Sequence, residues 1–418
     1  MGMDCLWLTL ADPDPPMNGQ FLYSSGLIRA AAAGAVLEVA GFSLPGGRHR
    51  DGQRTGATHW HLVPLHPLPR WREILSRFPV MVSRTRTPDL RRKLKKLLCA
   101  RDWDAIVFDS ISLGWALAEV KAKFGAAPTR PMLVYIAHNH EASVSRSIAA
   151  AERRAAQRLY RYVEALRFGA LEKALVRNAT LVTSNTLDDC AKFRADAAEK
   201  PIEFLPPGYS GMVTRRRIGA DLPPRRAIIV GSFDWIAKRQ SIVEFLRIAD
   251  PIFARAGIEL EIVGQAEPSF LEQLRAMVKA TRLTGRVEDV TLYMRNARLA
   301  LVPDRTPGFK LKGLDYVFNG LPIFALAGSL PGMPLADGES IRYFPDYELM
   351  AEAVCQSIDD VESLDAMQSR AYAACAGEFD WDAIGRRLVA AVARCAGQHR
   401  HSEDGAMLPP SPGAGLKA

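Results

Sequence analysis

Long hydrophobic runs are absent, and no stretch of this 418-residue chain is apolar enough to span a bilayer. Cysteine is scarce and scattered. Its six residues, Cys5, Cys99, Cys190, Cys355, Cys375 and Cys395, include no C-x-x-C pair. That argues against a zinc site and against a disulfide framework, and it points to reduced thiols in a cytosol. There is no P-loop Gly-Lys-Ser/Thr, so ATP hydrolysis is not favoured, and no clear G-x-G-x-x-G, so a redox cofactor is weaker still. No recognised DNA- or RNA-binding motif and no series of stacking aromatics is present, so no nucleic-acid partner is expected. The opening MGMDCLWLTLADPDPP lacks a basic n-region and its apolar run is broken by Asp12, which reads as a first strand and not a signal peptide.

What is present is ample core and an uneven charge. Hydrophobic residues make up 48% of the chain, enough for two or three domains. The net charge of +8 sits in the first half, where residues 1–210 carry 29 Lys and Arg against 20 Asp and Glu. It has a local focus in Arg91-Arg92-Lys93-Leu94-Lys95-Lys96-Leu97-Leu98. The leucines of that run can share one helical face with cations around it, which suits an anionic membrane surface. A solvated surface helix has the same composition.

Apolar strands alternate with helical stretches throughout, the signature of parallel α/β architecture. In the first half strands are expected at Cys5–Leu10, Val36–Phe42, Ala105–Phe108, Met132–Ala137 and Thr180–Thr183. Ala149–Asn178 reads as one long helix, with Leu159, Tyr162, Val163, Leu166, Ala170 and Leu171 at threes and fours to cover a sheet face. Leu222-Pro223-Pro224-Arg225-Arg226 reads as a linker. Beyond it strands are expected at Ala227–Val230, Glu259–Val263, Val290–Tyr293, Leu299–Val302 and Pro322–Phe324, with helices at Ile242–Ile248 and Phe270–Lys279. The expected organisation is a Rossmann-like domain over 1–210, a second over 225–378, a helical segment over 379–396 packing back toward the first domain, and a disordered tail over 397–418. Two such domains would face each other across a cleft lined by the carboxyl ends of both sheets.

The candidate chemistry lies at those ends. In VPDRTPGFKLKGLDYVFNGLPIFA, residues 302–325, Gly308 allows close approach of a ligand, and a helix starting near Phe309 aims unpaired N–H groups at an anion. Lys310 and Lys312 add charge there, and Asp315 is placed to accept hydrogen bonds from a ribose diol. Gly231 and Ser232 follow a strand, with Lys238 at the next helix start in reach of a phosphate. In the first half, Asn18-Gly19-Gln20 opens a helix, where Gly19 lets backbone N–H groups face the cleft. His138-Asn139-His140-Glu141 ends a strand in polar residues, of which His138 or Glu141 could touch a sugar. His-x-His has no obvious further ligands nearby, so no metal is expected there. Three phosphate-friendly turns on two Rossmann-like domains suggest a nucleotide-diphosphate donor.

These residues resemble a known family, the retaining GT-B glycosyltransferases of family 4, with similarity from Leu6 to about Leu388. Leu6-Trp7-Leu8-Thr9-Leu10 and Asn18-Gly19-Gln20 resemble its first strand and glycine loop, and Ala137-His138-Asn139-His140-Glu141 its His-Asn-x-Glu segment. Leu205-Pro206-Pro207-Gly208-Tyr209 is similar to its Pro-Asn-Gly-Val linker, with Pro207 in place of asparagine. Val230-Gly231-Ser232-Phe233-Asp234-Trp235 resembles the start of its donor domain, and the 302–325 stretch its Gly-x-Lys-x-Lys-x-Leu-Glu variant. Two further positions depart: Pro307 stands where the family often has a first glutamate, and Ser232 where it has a diphosphate-binding arginine. Lys310, Lys312 or Arg305 would then supply the missing charge.

The resemblance implies transfer of a sugar from a nucleotide-sugar donor to a glycan or lipid-linked acceptor, with retention at the anomeric carbon and no metal or other cofactor. Lys238 and Lys310 would stabilise the leaving diphosphate, with His138 beside the sugar. The leading reading is a cytoplasmic enzyme of polysaccharide or glycoconjugate assembly, with the basic run Arg91–Lys96 as its expected contact with the inner membrane face. A non-catalytic scaffold of the same shape and a nucleotide-sugar epimerase are the competing readings.

Overall fold

A computed structural model describes residues 3–406 apart from 17, 45–49, 67–75, 126, 128–129, 216–217, 234–235 and 306–307. The chain forms two compact α/β units, the first comprising Met1–Ser184, Asp189–Leu205 and Ile384–Ala418, the second Asn185–Asp188 and Pro206–Ala383. The main change of unit therefore falls at Leu205–Pro206, and the Leu222–Arg226 segment lies inside the second unit, leading into its first strand.

In the first unit the strands are β1 (Met3–Ala11), β2 (Ala35–Ser43), β3 (Arg54–Thr55), β4 (Thr58–Pro64), β5 (Ala105–Asp109), β6 (Met132–Ala137), β7 (Leu181–Ser184) and β8 (Ile202–Phe204). Their order is β3-β4-β2-β1-β5-β6-β7-β8, parallel throughout except for β3 on β4. The central strands are buried on both faces, so they read as continuous apolar runs. The marginal strand β4, Thr-His-Trp-His-Leu-Val-Pro, interleaves histidines with core residues and was not legible as a strand.

The segment expected as one helix is two, Glu141–Ala151 and Ala155–Asn178, broken by extended backbone at Glu152 and Arg154. Its expected core stripe also divides. Leu171 is buried with Ala165, Leu175 and Val176, whereas Leu159, Tyr162, Val163 and Leu166 are exposed. The cause is length: 24 helical residues span about 36 Å, while six-residue β6 spans about 20 Å, so the amino-terminal turns outrun the sheet.

The second unit carries β9 (Arg226–Val230), β10 (Glu259–Val263), β11 (Thr281–Gly285), β12 (Leu299–Val302), β13 (Ile323–Leu326) and β14 (Arg342–Phe344). All pairs are parallel, in the order β11-β10-β9-β12-β13-β14. Val290–Tyr293, expected as a strand, instead leads into the helix Thr291–Arg295, because the Asp289 carboxylate accepts a bond from the Thr291 N–H and closes a turn. The true strand, β11, was missed because a polar edge strand shows no apolar run.

The last helix, Trp381–Ala406, continues past the expected boundary at 396, since a glycine such as Gly397 is tolerated once a helix is nucleated. Within the first unit it packs so closely that a Cβ at Gly385 would meet the Ala30 carbonyl oxygen at 2.6 Å, and Arg394 pairs with Glu203 at 2.5 Å. Residues 407–418 of the expected tail lie outside the described residues.

In both sheets the chain runs outward one way from a central strand and then returns to run the other way. The reversals lie between β1 and β5 and between β9 and β12. Loops leaving the carboxyl ends of such strand pairs splay apart, which is where open α/β sheets bind ligands.

Candidate functional site

In the second unit the switch point gathers a cationic cluster. At the end of β9 the Gly231 N–H donates to the Val263 carbonyl at 3.0 Å, and Gly264 lies against it with φ +147°. A Cβ at Gly264 would meet the Gly231 oxygen at 1.6 Å, so only glycine fits. Lys238 lies in the first turn of the helix Ile236–Ala256, which has no acidic residue there.

From the end of β12 the chain reaches Asp304, which is buried and ion-pairs with Lys312. Burial works against its charge, but Lys312, then Lys310 and Lys238, hold its carboxyl below the usual carboxylate range. Lys312 pairs with this carboxylate directly, and Lys310 and Lys238 add to the positive field around it. Gly308 follows with φ +87°, turning the chain so that its carbonyl accepts from Lys310 Nζ at 2.8 Å. Lys310 is buried, and that burial pushes its pKa down to about 7, with Asp304 opposing and Lys312 and Lys238 reinforcing.

The helix Leu311–Phe318 begins immediately beyond Lys310 with no side-chain cap and no acid in its first turn. Its unpaired N–H groups and positive dipole end therefore add to the lysines, an arrangement suited to a diphosphate. One turn on, Asp315 is partly buried, and burial pushes its carboxyl up to about 6. The helix is tied to the switch point by Tyr316, whose hydroxyl accepts from the Val230 N–H at 2.7 Å. Asn319 closes it, donating to the Asp315 carbonyl at 2.8 Å and to the Tyr209 hydroxyl at 3.1 Å.

Other expected residues have different settings. Arg305 is engaged with Tyr347, donating from Nε to its hydroxyl at 3.1 Å with the guanidinium 4.7 Å from the ring centroid. Phe309 packs near Phe379, ring centroids 5.9 Å apart. Ser232 is exposed just beyond β9. Pro307, Asp234 and Trp235 lie outside the described residues.

In the first unit the switch point is organised by Asp109, the last residue of β5. Its carboxylate lies 2.7 Å from His138 Nε2 and accepts from Trp7 Nε1 at 3.1 Å. Burial opposes its charge, and His138 leads the groups that hold its carboxyl below the usual range. Tyr23 meets the His138 ring edge-on at 5.1 Å. The imidazole is therefore oriented as a general base or hydrogen-bond donor would be. Ser110, directly after Asp109, has φ +74° and ψ 172°, a strained backbone region that few residues other than glycine adopt.

Glu141 is hydrogen-bonded by Asn139 at 3.1 Å, and burial pushes its carboxyl up. His140 is structural: its Nδ1 lies 2.7 Å from Ser143 Oγ and its Nε2 3.1 Å from Asp196. Asn18 caps the helix Gly19–Ala31, accepting from the Phe21 N–H at 3.0 Å, and Gly19 is that helix's exposed first residue. In the same unit a cavity of about 530 Å³ is lined by Leu10, Met81, Ile148 and Phe168, with Arg84, Arg161 and Glu164 among them. It is an apolar pocket with charges of both signs, two of them arginines.

Asp304 and Asp109 escaped sequence reasoning because a single acid has no spacing signature. The usable signal was position: each stands at or just after the end of a strand that flanks a reversal of strand order.

Residues 224–360 match the family of glycosyl transferases group 1. No curated protein matches the chain. Among solved structures, sucrose-phosphate synthase from Thermosynechococcus elongatus aligns with 97% of this chain and 100% of its own, at TM-score 0.67 and 18% identity. HepE from Anabaena, in complex with UDP and glucose, aligns over 94% of this chain and 100% of its own, at TM-score 0.64 and 14% identity. WaaG, a glycosyltransferase involved in lipopolysaccharide biosynthesis, aligns over 92% and 98%, at 0.61 and 17%. The two parallel-sheet units thus have the GT-B glycosyltransferase fold. The matched domain and that fold together support a glycosyltransferase.

Proposed function

We propose that this chain transfers a sugar from a nucleoside-diphosphate sugar to a glycan or lipid-linked acceptor, with retention at the anomeric carbon. The observation that carries the reading is the cluster of Lys238, Lys310 and Lys312 around Asp304, at the switch point and beside an uncapped helix start. A diphosphate leaving group gains charge as the glycosidic bond breaks, and cations preorganised at its oxygens stabilise that charge selectively. Asp315 holds the ribose, and in the first unit Asp109 orients His138 for a hydrogen-bonding role. The apolar cavity with Arg84 and Arg161 suits an acceptor that joins an apolar chain to an anionic group.

Calorimetry with a panel of nucleotide sugars tests donor binding, and the HepE complex makes UDP sugars the first donors to try. Lys238→Ala should lower turnover by about a hundredfold or more while leaving the circular dichroism spectrum intact. Unchanged turnover removes that lysine from the mechanism. Anomeric configuration in the product, read by NMR, decides retention. Ser232, in the place of the family's arginine, favours one second reading, a binding protein without catalysis. Donor binding with neither transfer nor hydrolysis would establish it.

We further infer peripheral contact with anionic lipid through the helix Ala155–Asn178. Leu159, Tyr160, Tyr162 and Leu166 are exposed there, and the exposed Arg153, Arg154, Arg158 and Arg161 flank them.

A further inference from the structure

We propose that Glu38, His59 and His61 form a binding site for one divalent zinc-class metal ion, outside the transfer chemistry. The register of β2 on β4 sets Glu38 opposite His59 and Ala40 opposite His61. Residues two apart on a strand share a face, so both imidazoles stand on the face that carries the Glu38 carboxylate. His59 Nδ1 lies 2.9 Å and His61 Nε2 2.5 Å from the same oxygen, Glu38 Oε2, and the three donor atoms all lie within 4.8 Å of one another. Among the described residues no other group of three His, Cys, Asp or Glu side chains converges in this way.

The setting is that of a built site. Arg101 donates to the other carboxylate oxygen, Oε1, at 2.8 Å, and is itself held by Asp4 at 3.1 Å. That pairing fixes the rotamer and leaves Oε2 to the imidazoles, as an outer partner commonly orients a ligating carboxylate. Glu38 is buried while the His59 side chain is 32% exposed, which gives an ion a way in and water a fourth position. Two imidazoles and one carboxylate match zinc in donor type and in number. Tetrahedral bonds of about 2.0–2.1 Å separate ligand atoms by about 3.3 Å, so the carboxylate must draw back by under about 1 Å. Each imidazole must adopt the tautomer whose facing nitrogen is bare.

The cluster sits in the amino-terminal halves of β2 and β4, away from the carboxyl ends that carry the candidate site. There β4 is held by β2 on one side and only by the two-residue β3 on the other. A metal bridging β2 to β4 would staple the margin of the sheet.

The test uses the untagged full chain, stripped with chelator, carrying Cys99→Ser to remove the exposed thiol. Zinc chloride is titrated against a chromogenic competitor at pH 7.5, with thermal melting in parallel. We expect one zinc per chain, a rise in Tm, and at least a hundredfold weaker binding in His59→Gln and His61→Gln. Cobalt(II) added to the unmutated site should give the intense visible bands of tetrahedral coordination, a readout that survives if a variant misfolds. Absence of stoichiometric zinc binding, octahedral cobalt bands, or unchanged affinity in the double histidine variant each overturns the proposal.

Discussion

Lys310 keeps an ammonium group among buried neighbours, and Asp315 keeps a carboxyl in a partly buried place one turn away. Their pKa values are pushed toward each other, to about 7 and about 6. The lysine is charged below its value and the carboxylate above its own. If both charges are used on the donor, kcat/KM should be bell-shaped, with its acid limb near 6 and its alkaline limb near 7. Asp315→Asn should flatten the acid limb and Lys310→Met the alkaline one, the latter with a loss of roughly two orders of magnitude in rate. Stability moves the other way. The unfolded chain holds the Lys310 proton up to about 10.5 and the folded chain only up to about 7, so stability rises with pH across that window. The penalty is in full force below pH 7, so Lys310→Met should raise Tm at pH 6 while weakening diphosphate binding. A melt and a titration on the same variant check both signs.

At the scale of elements, the turns at strand ends decide whether such residues meet. Gly264 lets β10 leave the sheet against the Gly231 carbonyl, and no side chain can share that space. Gly264→Ala should therefore cost about 3 kcal/mol or more and displace the Gly231 turn. Denaturant unfolding and donor titration should both report it, whereas Gly285→Ala, with open space around its Cβ and φ +80°, should cost only about 1–2 kcal/mol of backbone strain. Gly264 was not singled out in the sequence, because its constraint comes from Gly231, 33 residues away and brought alongside by β9–β10 pairing. The central strands were legible because burial on both faces makes them continuous apolar runs, as in β6 and β12. Edge strands such as β11 were not, since half of their surroundings is solvent. Lys238, Lys310 and Asp315 could be singled out in the sequence because glycine turns precede their helices. Asp304 and Asp109 could not, because their partners are lysines and a histidine supplied by other elements.

At the scale of the molecule, the basic excess of the first half divides into two unlike surfaces. In the helix Pro88–Leu98 the leucines expected to share one face are core: Leu94, Leu97 and Leu98 are buried, as is Leu90 before them. Its cations are largely paired, Arg91 and Lys95 with Glu119, Arg92 with Asp89 and Lys93 with Asp51. Such pairs leave little net charge to attract lipid and no apolar group to insert. The helix Ala155–Asn178 has the opposite character, with large apolar side chains exposed among arginines, and no described helix is long and apolar enough to cross a membrane. Each arginine near an anionic bilayer is worth about 1 kcal/mol, so four together could shift partitioning by roughly a thousandfold at low salt. Vesicle sedimentation should then show binding to anionic but not zwitterionic lipid, weakening as salt rises. Leu159→Ser with Leu166→Ser should reduce it at least tenfold, because both side chains are already in water and their loss leaves the core intact. Neutralising Arg91–Lys96 should change it little. The reverse ranking of the two variants would move the lipid contact back to the Pro88–Leu98 helix, and equal binding by all three proteins would remove it from both.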